Sequence, residues 1–390
     1  MHHDAAGPGH ECSFPLEASH GRRNKRDPHA EQTLLPPLWW QAIRHRGMNA
    51  DLDSDRPRLG LALPPSPAFS FAELSALAHE AEALGYDTLW VPEVAGPDVF
   101  TVLAAYAAAT SRVGLASGVI PIQTRTPPTL AMSFASLHAL SGGRAIAGLG
   151  VSSTIIVEQW HGATYPPPLA AVRDCVAIMR AIFTTRKCVY EGSVYRAKGF
   201  RLGLPIPSPP PKIFLAGLNP GMLRLAGAIA DGVLLNYTPP HHIGSHIAHV
   251  RRGAEEAGRN PHEVITACYI RCCVTADEPP AVAAFQRELG SYAFVPAYVQ
   301  MFRRFGFGDE FETFQRLWRE GRRDEAPDAF AERTVRAIAA IGPAEKALTF
   351  IDQFRRAGLD YPVLFPVGPA RTARDHIPAT IHALRVAPML

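Results

Sequence analysis

The sequence predicts an α/β fold, a (β/α)8 TIM barrel with insertions, on three observations. From residue 58 onward, short apolar runs of strand length alternate with amphipathic or alanine-rich runs of helical length. Eight such strands are countable, which favours closure into a barrel over an open doubly wound sheet. The 47% hydrophobic and 19% charged fractions, over 390 residues, suit one domain with a sizeable core.

The elements follow in order. Residues 58–63 read as the first strand, and 71–84 as a helix stopped by Gly85. A strand over 86–91 leads to a helix over 100–110. A strand over 113–120 precedes a helix over 128–140 that Pro127 and Pro128 start. Strand four covers 144–149, and a longer loop runs to a helix over 169–183. Strands over 212–216, 232–235 and 264–275 interleave with helices near 220–229, 241–257 and 279–289. A helix over 342–358, a strand over 361–365 and a helix over 371–385 complete the chain.

Two segments exceed ordinary connections. One is 184–211, which ends in prolines. The other, 290–340, lies between strands seven and eight and is dense in aromatics such as Tyr292, Tyr298, Phe302, Phe311, Phe314 and Trp318. An insertion there is placed to roof the C-terminal mouth of a barrel. Most of these rings are expected to be core, with one or two lining a pocket.

Residues 1–56 differ in composition, rich in His, Pro, Arg and Asp without sustained period, and read as a poorly structured extension. Met48 is an alternative start. Leu34 to Trp40 is the apolar patch of this tail. The expected domain is 57–390.

Composition excludes several function classes. A net charge of +3 is too small to argue for nucleic acid or an anionic membrane. No stretch approaches the roughly 18 apolar residues of a membrane span, and the N-terminus lacks the apolar core of a secretory signal. The cytoplasm is the expected location. The six cysteines match neither a zinc site nor a CxxC pair, and Cys268, Cys272 and Cys273 read as buried thiols of a strand. No metal is expected. His242, His246 and His249 share a helical face but lack an acidic partner, so a solvated outer face is the expected reading. Gly148-x-Gly150-x-x-Ser153 lacks the third glycine of a dinucleotide fingerprint.

The chemistry is expected at the C-terminal strand ends. Strand three runs into Gly118-Val119 and on to Arg125, strand four into Gly148-Leu149-Gly150-Val151-Ser152-Ser153, and strand five into Ala216-Gly217-Leu218-Asn219-Pro220-Gly221-Met222. Small residues there let a ligand approach the backbone, and a helix beginning at 220 offers unpaired N–H groups to a phosphate. Asp231 precedes strand six at the opposite end and reads as structural. Trp160 reads as packing, and Arg125 either meets a phosphate or covers the rim.

These motifs, with Leu89-Trp90-Val91-Pro92-Glu93, Leu140-Ser141-Gly142-Gly143-Arg144, Trp160-His161-Gly162 and Ala230-Asp231-Gly232, resemble the luciferase-like monooxygenase superfamily. The likeness is to its actinobacterial coenzyme F420-dependent branch and covers about residues 58–368. It implies an F420-dependent oxidoreductase transferring a hydride to or from a small C=C, C=N or alcohol/carbonyl substrate. The alternatives are an FMN-dependent monooxygenase and a non-catalytic coenzyme-binding protein. It implies a cis peptide at Gly118–Val119, with Gly118, Val119, Gly150, Ser152, Ser153, Ala216, Gly217, Leu218 and Met222 around the coenzyme. Glu93 and His161 are the candidate catalytic residues, with a loop-capping role as the alternative for His161, and a homodimer is the implied assembly. The chain departs from the branch at the end of strand two, where Glu93-Val94 replaces Asp-His, so sugar-phosphate dehydrogenation through that His is not expected.

Overall fold

The computed structural model describes residues 58–385. The expectations about residues 1–56, including Cys12, Leu34 to Trp40 and Met48, fall outside that range.

Eight parallel strands close on themselves. They are β1 (Gly60–Ala62), β2 (Thr88–Val91), β3 (Gly114–Ser117) with its continuation β4 (Ile120–Pro121), β5 (Ala145–Gly150), β8 (Lys212–Ala216), β9 (Gly232–Asn236), β10 (Ile265–Val274) and β12 (Tyr361–Pro366). β6 (Lys187–Glu191) and β7 (Arg196–Arg201) form a separate antiparallel hairpin. The first strand pairs with both the second and the last, with Gly60 opposite Thr88 and Val363, and this closes the barrel.

Period-two alternation divides the strand residues between two cores. Leu61, Leu89, Leu115 and Leu215 belong to the cluster shared with the outer helices, whereas Ala62, Trp90, Ala116, Ile146, Phe214 and Leu234 belong to a second, inner cluster. Trp90 is the largest inner ring and meets Phe214 edge-on at 5.5 Å between centroids. Its indole nitrogen donates to Thr88 at 2.7 Å, so the buried N–H is satisfied.

The helices begin where local chemistry starts them. Helix α1 (Phe71–Ala83) opens on a capping box: Glu73 N–H donates to Ser70 Oγ, and Ser70 N–H donates back to the Glu73 carboxylate at 2.7 Å. It stops before Gly85, whose φ is 91°. Helices α2 (Val99–Ala109), α3 (Pro127–Leu140), α4 (Pro168–Thr185), α5 (Pro220–Ile229) and α6 (Pro240–Glu256) follow their strands in turn. Asp231 lies at the far end from the mouth, as expected: it accepts from Ile213 N–H at 2.7 Å and from Arg180 at 2.9 Å.

The two long connections gain structure, and one expectation changes. The 184–211 segment contains the β6–β7 hairpin. The 290–340 segment is largely helical, with α8 (Pro296–Arg304), α9 (Gly308–Arg319) and α10 (Glu332–Ile338) following α7 (Glu278–Gly290). It also contributes β11 (Ala339–Gly342), which pairs with Arg271–Val274 of β10 beside the barrel. Phe302, Phe311, Phe314 and Phe330 make a core of their own there. Finally, His246 is buried at 5% exposure rather than solvated, because its face of α6 turns inward onto Phe305 and Thr238. Helices α11 (Ala344–Arg356) and α12 (Ala373–Ala383) flank β12. Cys175, Cys188, Cys268, Cys272 and Cys273 are free buried thiols. Among the described residues, no cluster is arranged to hold a metal, and no helix is long and apolar enough to cross a membrane.

Candidate active site at the mouth of the barrel

The third strand does not run straight. β3 pairs with β5 only at Leu115 and Ala116, and pairing resumes at Ile120 and Pro121 of β4. In the gap, the Ser117 hydroxyl donates to Gly148 carbonyl at 2.7 Å and accepts from Gly148 N–H at 3.0 Å. A side chain thereby replaces the missing ladder bonds. The displaced residues 118 and 119 carry the cis peptide expected there. Tyr269 of β10 reaches across the barrel and donates to Gly118 carbonyl at 2.8 Å.

The bulge forms one wall of a cavity of about 370 Å³. Gly118, Val119, Ala216, Leu218 and Met222, all singled out from the sequence, line it together. Gly150 and Gly217 stand behind this lining. A Cβ on Gly150 would lie 2.6 Å from Val119 Cγ2, and one on Gly217 would lie 2.7 Å from Leu223 Cδ2. A side chain at either position would have to displace a neighbouring methyl group. Ser152 and Ser153 follow β5. Ser152 carbonyl accepts the Tyr165 hydroxyl at 3.0 Å, and Ser153 Oγ accepts Ile156 N–H at 3.3 Å.

Helix α5 begins at the same rim. Pro220 has no N–H, and the Asn219 side chain makes no cap. It turns instead to Arg304, from which it accepts, and to Ala297. Among the described residues no side chain caps this helix, so the N–H groups of Gly221 and Met222 are left for a ligand, and a helix N-terminus in that condition suits an anionic group.

The two candidate catalytic residues lie outside the cavity lining. The Glu93 carboxylate accepts from Val99 N–H at 3.1 Å and from Arg125, which also pairs with Asp98. Arg125 thus covers the rim and ties the β2–α2 loop to the β4–α3 loop. Burial opposes a charge on Asp98, but the Thr101 N–H and hydroxyl and the Arg125 guanidinium outweigh it and hold its carboxyl below the usual range. His161 is exposed at the end of a π-helical turn over Ile155–Trp160. Trp160 beside it is 56% exposed, so the packing role expected for it is not seen: the turn carries its ring outward.

Several lining residues of the cavity were not among the sequence candidates. Tyr165, Asn236 and Tyr269 bring hydroxyl and carboxamide groups to its walls, and Tyr298 comes from the insertion. Asn236 ends β9, so its position at a strand terminus was the available signal. Nothing in the local sequence marked Tyr269.

A family model for luciferase-like monooxygenases matches residues 52–361. The chain belongs to the luciferase-like monooxygenase family. A Mycobacterium tuberculosis protein provisionally named a coenzyme F420-dependent oxidoreductase is 29% identical over 343 residues, covering 82% of this chain and 97% of its own. Two solved structures share the fold. The coenzyme F420-dependent tetrahydromethanopterin reductase of Methanopyrus kandleri superposes with a TM-score of 0.70 at 22% identity, over 83% of this chain and 99% of its own. An F420-dependent secondary alcohol dehydrogenase, in complex with an F420–acetone adduct, gives 0.69 at 19%, over 85% of this chain and all of its own (100%). At these identities, the two structures speak for the fold alone.

Proposed function

We propose that this luciferase-like protein is a coenzyme F420-dependent oxidoreductase acting on a small organic substrate. The observation that carries the reading is the convergence, on one cavity, of the Gly118–Val119 bulge, the Ala216–Leu218 strand end and the uncapped start of α5. The provisional name of the Mycobacterium tuberculosis relative supports the choice of coenzyme.

The residues present fit such a group. Gly118 and Val119 would present an apolar wall to a ring, and Leu218 and Met222 would line the way for a polar side arm. Gly150, Ser152, Ser153 and Gly217, beside that lining, would shape it, and the Gly221 and Met222 N–H groups would offer an anion site. When bound, the deazaflavin supplies a ring carbon that carries a hydride and reacts poorly with oxygen. The chain contributes orientation and exclusion of water. Glu93 holds the rim through Arg125. His161 reaches a ligand only if the 151–165 loop turns inward, and an unchanged kcat/KM in His161→Ala would remove it from the site.

Titration of the protein with oxidised coenzyme F420 and, separately, with FMN tests the reading, followed by fluorescence. The expected result is tight binding of the deazaflavin and weak binding of FMN. Preference for FMN, with coenzyme-dependent oxygen consumption, would replace it with oxygenase chemistry. Deazaflavin binding without turnover of any substrate would leave a coenzyme carrier. The implied homodimer is tested by light scattering on the same sample.

A further inference from the structure

Arg271 projects from β10 with 2% of its surface exposed, and a buried charge persists only with partners. Its Nε donates to Glu288 of α7 at 3.2 Å, and its guanidinium lies 4.1 Å and 4.3 Å from the ring centres of Tyr237 and Phe365. Its Nη1 donates to Asn236 Oδ1 at 2.5 Å. A guanidinium has donors only, so Asn236 must present its carboxamide oxygen to it. That fixes the amide, and its NH2 group donates to Tyr298 Oη at 2.8 Å. The phenol oxygen is therefore an acceptor in this bond, and its own hydrogen is directed elsewhere.

Three tyrosines line the cavity. Tyr269 spends its hydrogen on Gly118 carbonyl, and Tyr165 spends its hydrogen on Ser152 carbonyl. For the Tyr298 hydrogen, no acceptor is found among the described residues. Burial pushes the Tyr298 phenol above its usual range, so it keeps that hydrogen through neutral pH. The cavity thus contains one uncommitted phenolic donor, aimed by a charge that folding has locked in place.

We propose that Tyr298 donates its hydrogen bond to the oxygen of a small carbonyl substrate, or of the corresponding alcohol, and that Asn236, held by Arg271, is the positioning residue for it. The proposal rests on the oxidoreductase reading and narrows its substrate class. A carbonyl oxygen gains negative charge as its carbon gains a hydride, and a donor already aimed at it stabilises that charge without reorganisation. An isolated C=C bond offers no such acceptor.

The test uses 4-(dimethylamino)cinnamaldehyde, an aldehyde whose absorption band moves to the red when its carbonyl oxygen receives a hydrogen bond. The expected result is a red shift on binding to the wild-type protein that is lost in Tyr298→Phe. Asn236→Asp provides the second variant: it keeps an oxygen for Arg271 but turns a second oxygen toward Tyr298, which then donates to it and not to the ligand. The shift is expected to vanish there too, with the tyrosine still present. An undiminished shift in either variant overturns the proposal, as does a wild-type protein that leaves the probe's spectrum unmoved. Coenzyme F420 titration of all three proteins separates the two readings. Its failure in the wild type sinks the proposed coenzyme, whereas unchanged coenzyme binding in variants that retain the shift sinks only the role of Tyr298.

Discussion

Gly118 has no room for a side chain because Tyr269 occupies the space. A Cβ there would lie 1.8 Å from the Tyr269 hydroxyl oxygen and 2.9 Å from Cζ. The clash is with a ring packed against Trp90 and Phe365, not with the end of a flexible chain. Gly118→Ala is therefore expected to destabilise the fold by about 1–3 kcal/mol, the usual range for overpacking, read from the midpoint of urea unfolding. Tyr269→Phe in the same chain removes the nearest atom and is expected to recover part of the loss. An alanine variant that unfolds at the wild-type urea concentration would refute this packing account. The sequence marked Gly118 as a place for ligand approach. Its partner stands 151 residues away, beyond any local pattern.

Asp174 of α4 pins the β6–β7 hairpin to the barrel. Its carboxylate accepts from Val194 N–H at 2.7 Å, Tyr195 N–H at 3.1 Å and the Tyr190 hydroxyl at 2.9 Å. Burial works against its charge, but these donors prevail and hold the carboxyl below its usual range. Asp174→Ala leaves the part-buried N–H groups of Val194 and Tyr195 without this partner, at a cost of about 1 kcal/mol. Hydrogen exchange is expected to accelerate in 187–201 and to stay unchanged in β1, β2 and β10. Uniform acceleration would mean that Asp174 supports the whole fold rather than one element. This hairpin was hard to read because only one side of it packs: Cys188 and Ala197 are buried while Val189 is 82% exposed. The insertion helices were more legible in principle. Phe311, Phe314 and Leu317 recur every three residues and are all buried, a helical spacing that the aromatic density of the segment masked.

Across the whole molecule, buried titratable groups make the fold sensitive to acid. Burial, with His242, Arg304 and His249 nearby, lowers His246 from the ordinary 6.5 to about 4. Burial also lowers His138 and His376. A depressed His pKa means that the unfolded chain takes up the proton first, so this stability is complete above about pH 6.5 and is lost as pH falls toward 4. For His246 alone the loss is roughly 3 kcal/mol, at about 1.4 kcal/mol per unit. Glu82 adds a second stage. Burial opposes its charge, yet the N–H groups of Val113, Arg112 and Ser111 outweigh that and hold its pKa below 4.5. Its contribution is present above 4.5 and lost below. Tm is expected to decline from pH 6.5 to 4 and again further down, and His246→Asn to flatten the first decline. Equal first-stage slopes in both proteins would show that this ring does not titrate as its burial implies.

The sequence by itself determined the barrel, because eight short apolar strands alternating with helices that start at proline or a capping residue are local signals. It also placed the mouth and five of the residues that line it, since strand ends can be found without knowing how strands pair. Only the tertiary structure decided which groups meet there. The Ser117 bridge, the Tyr269 contact with the bulge and the Arg271–Asn236–Tyr298 line each join residues from different strands or from the insertion. Such contacts depend on register and closure, which fix distances between segments that no local periodicity relates.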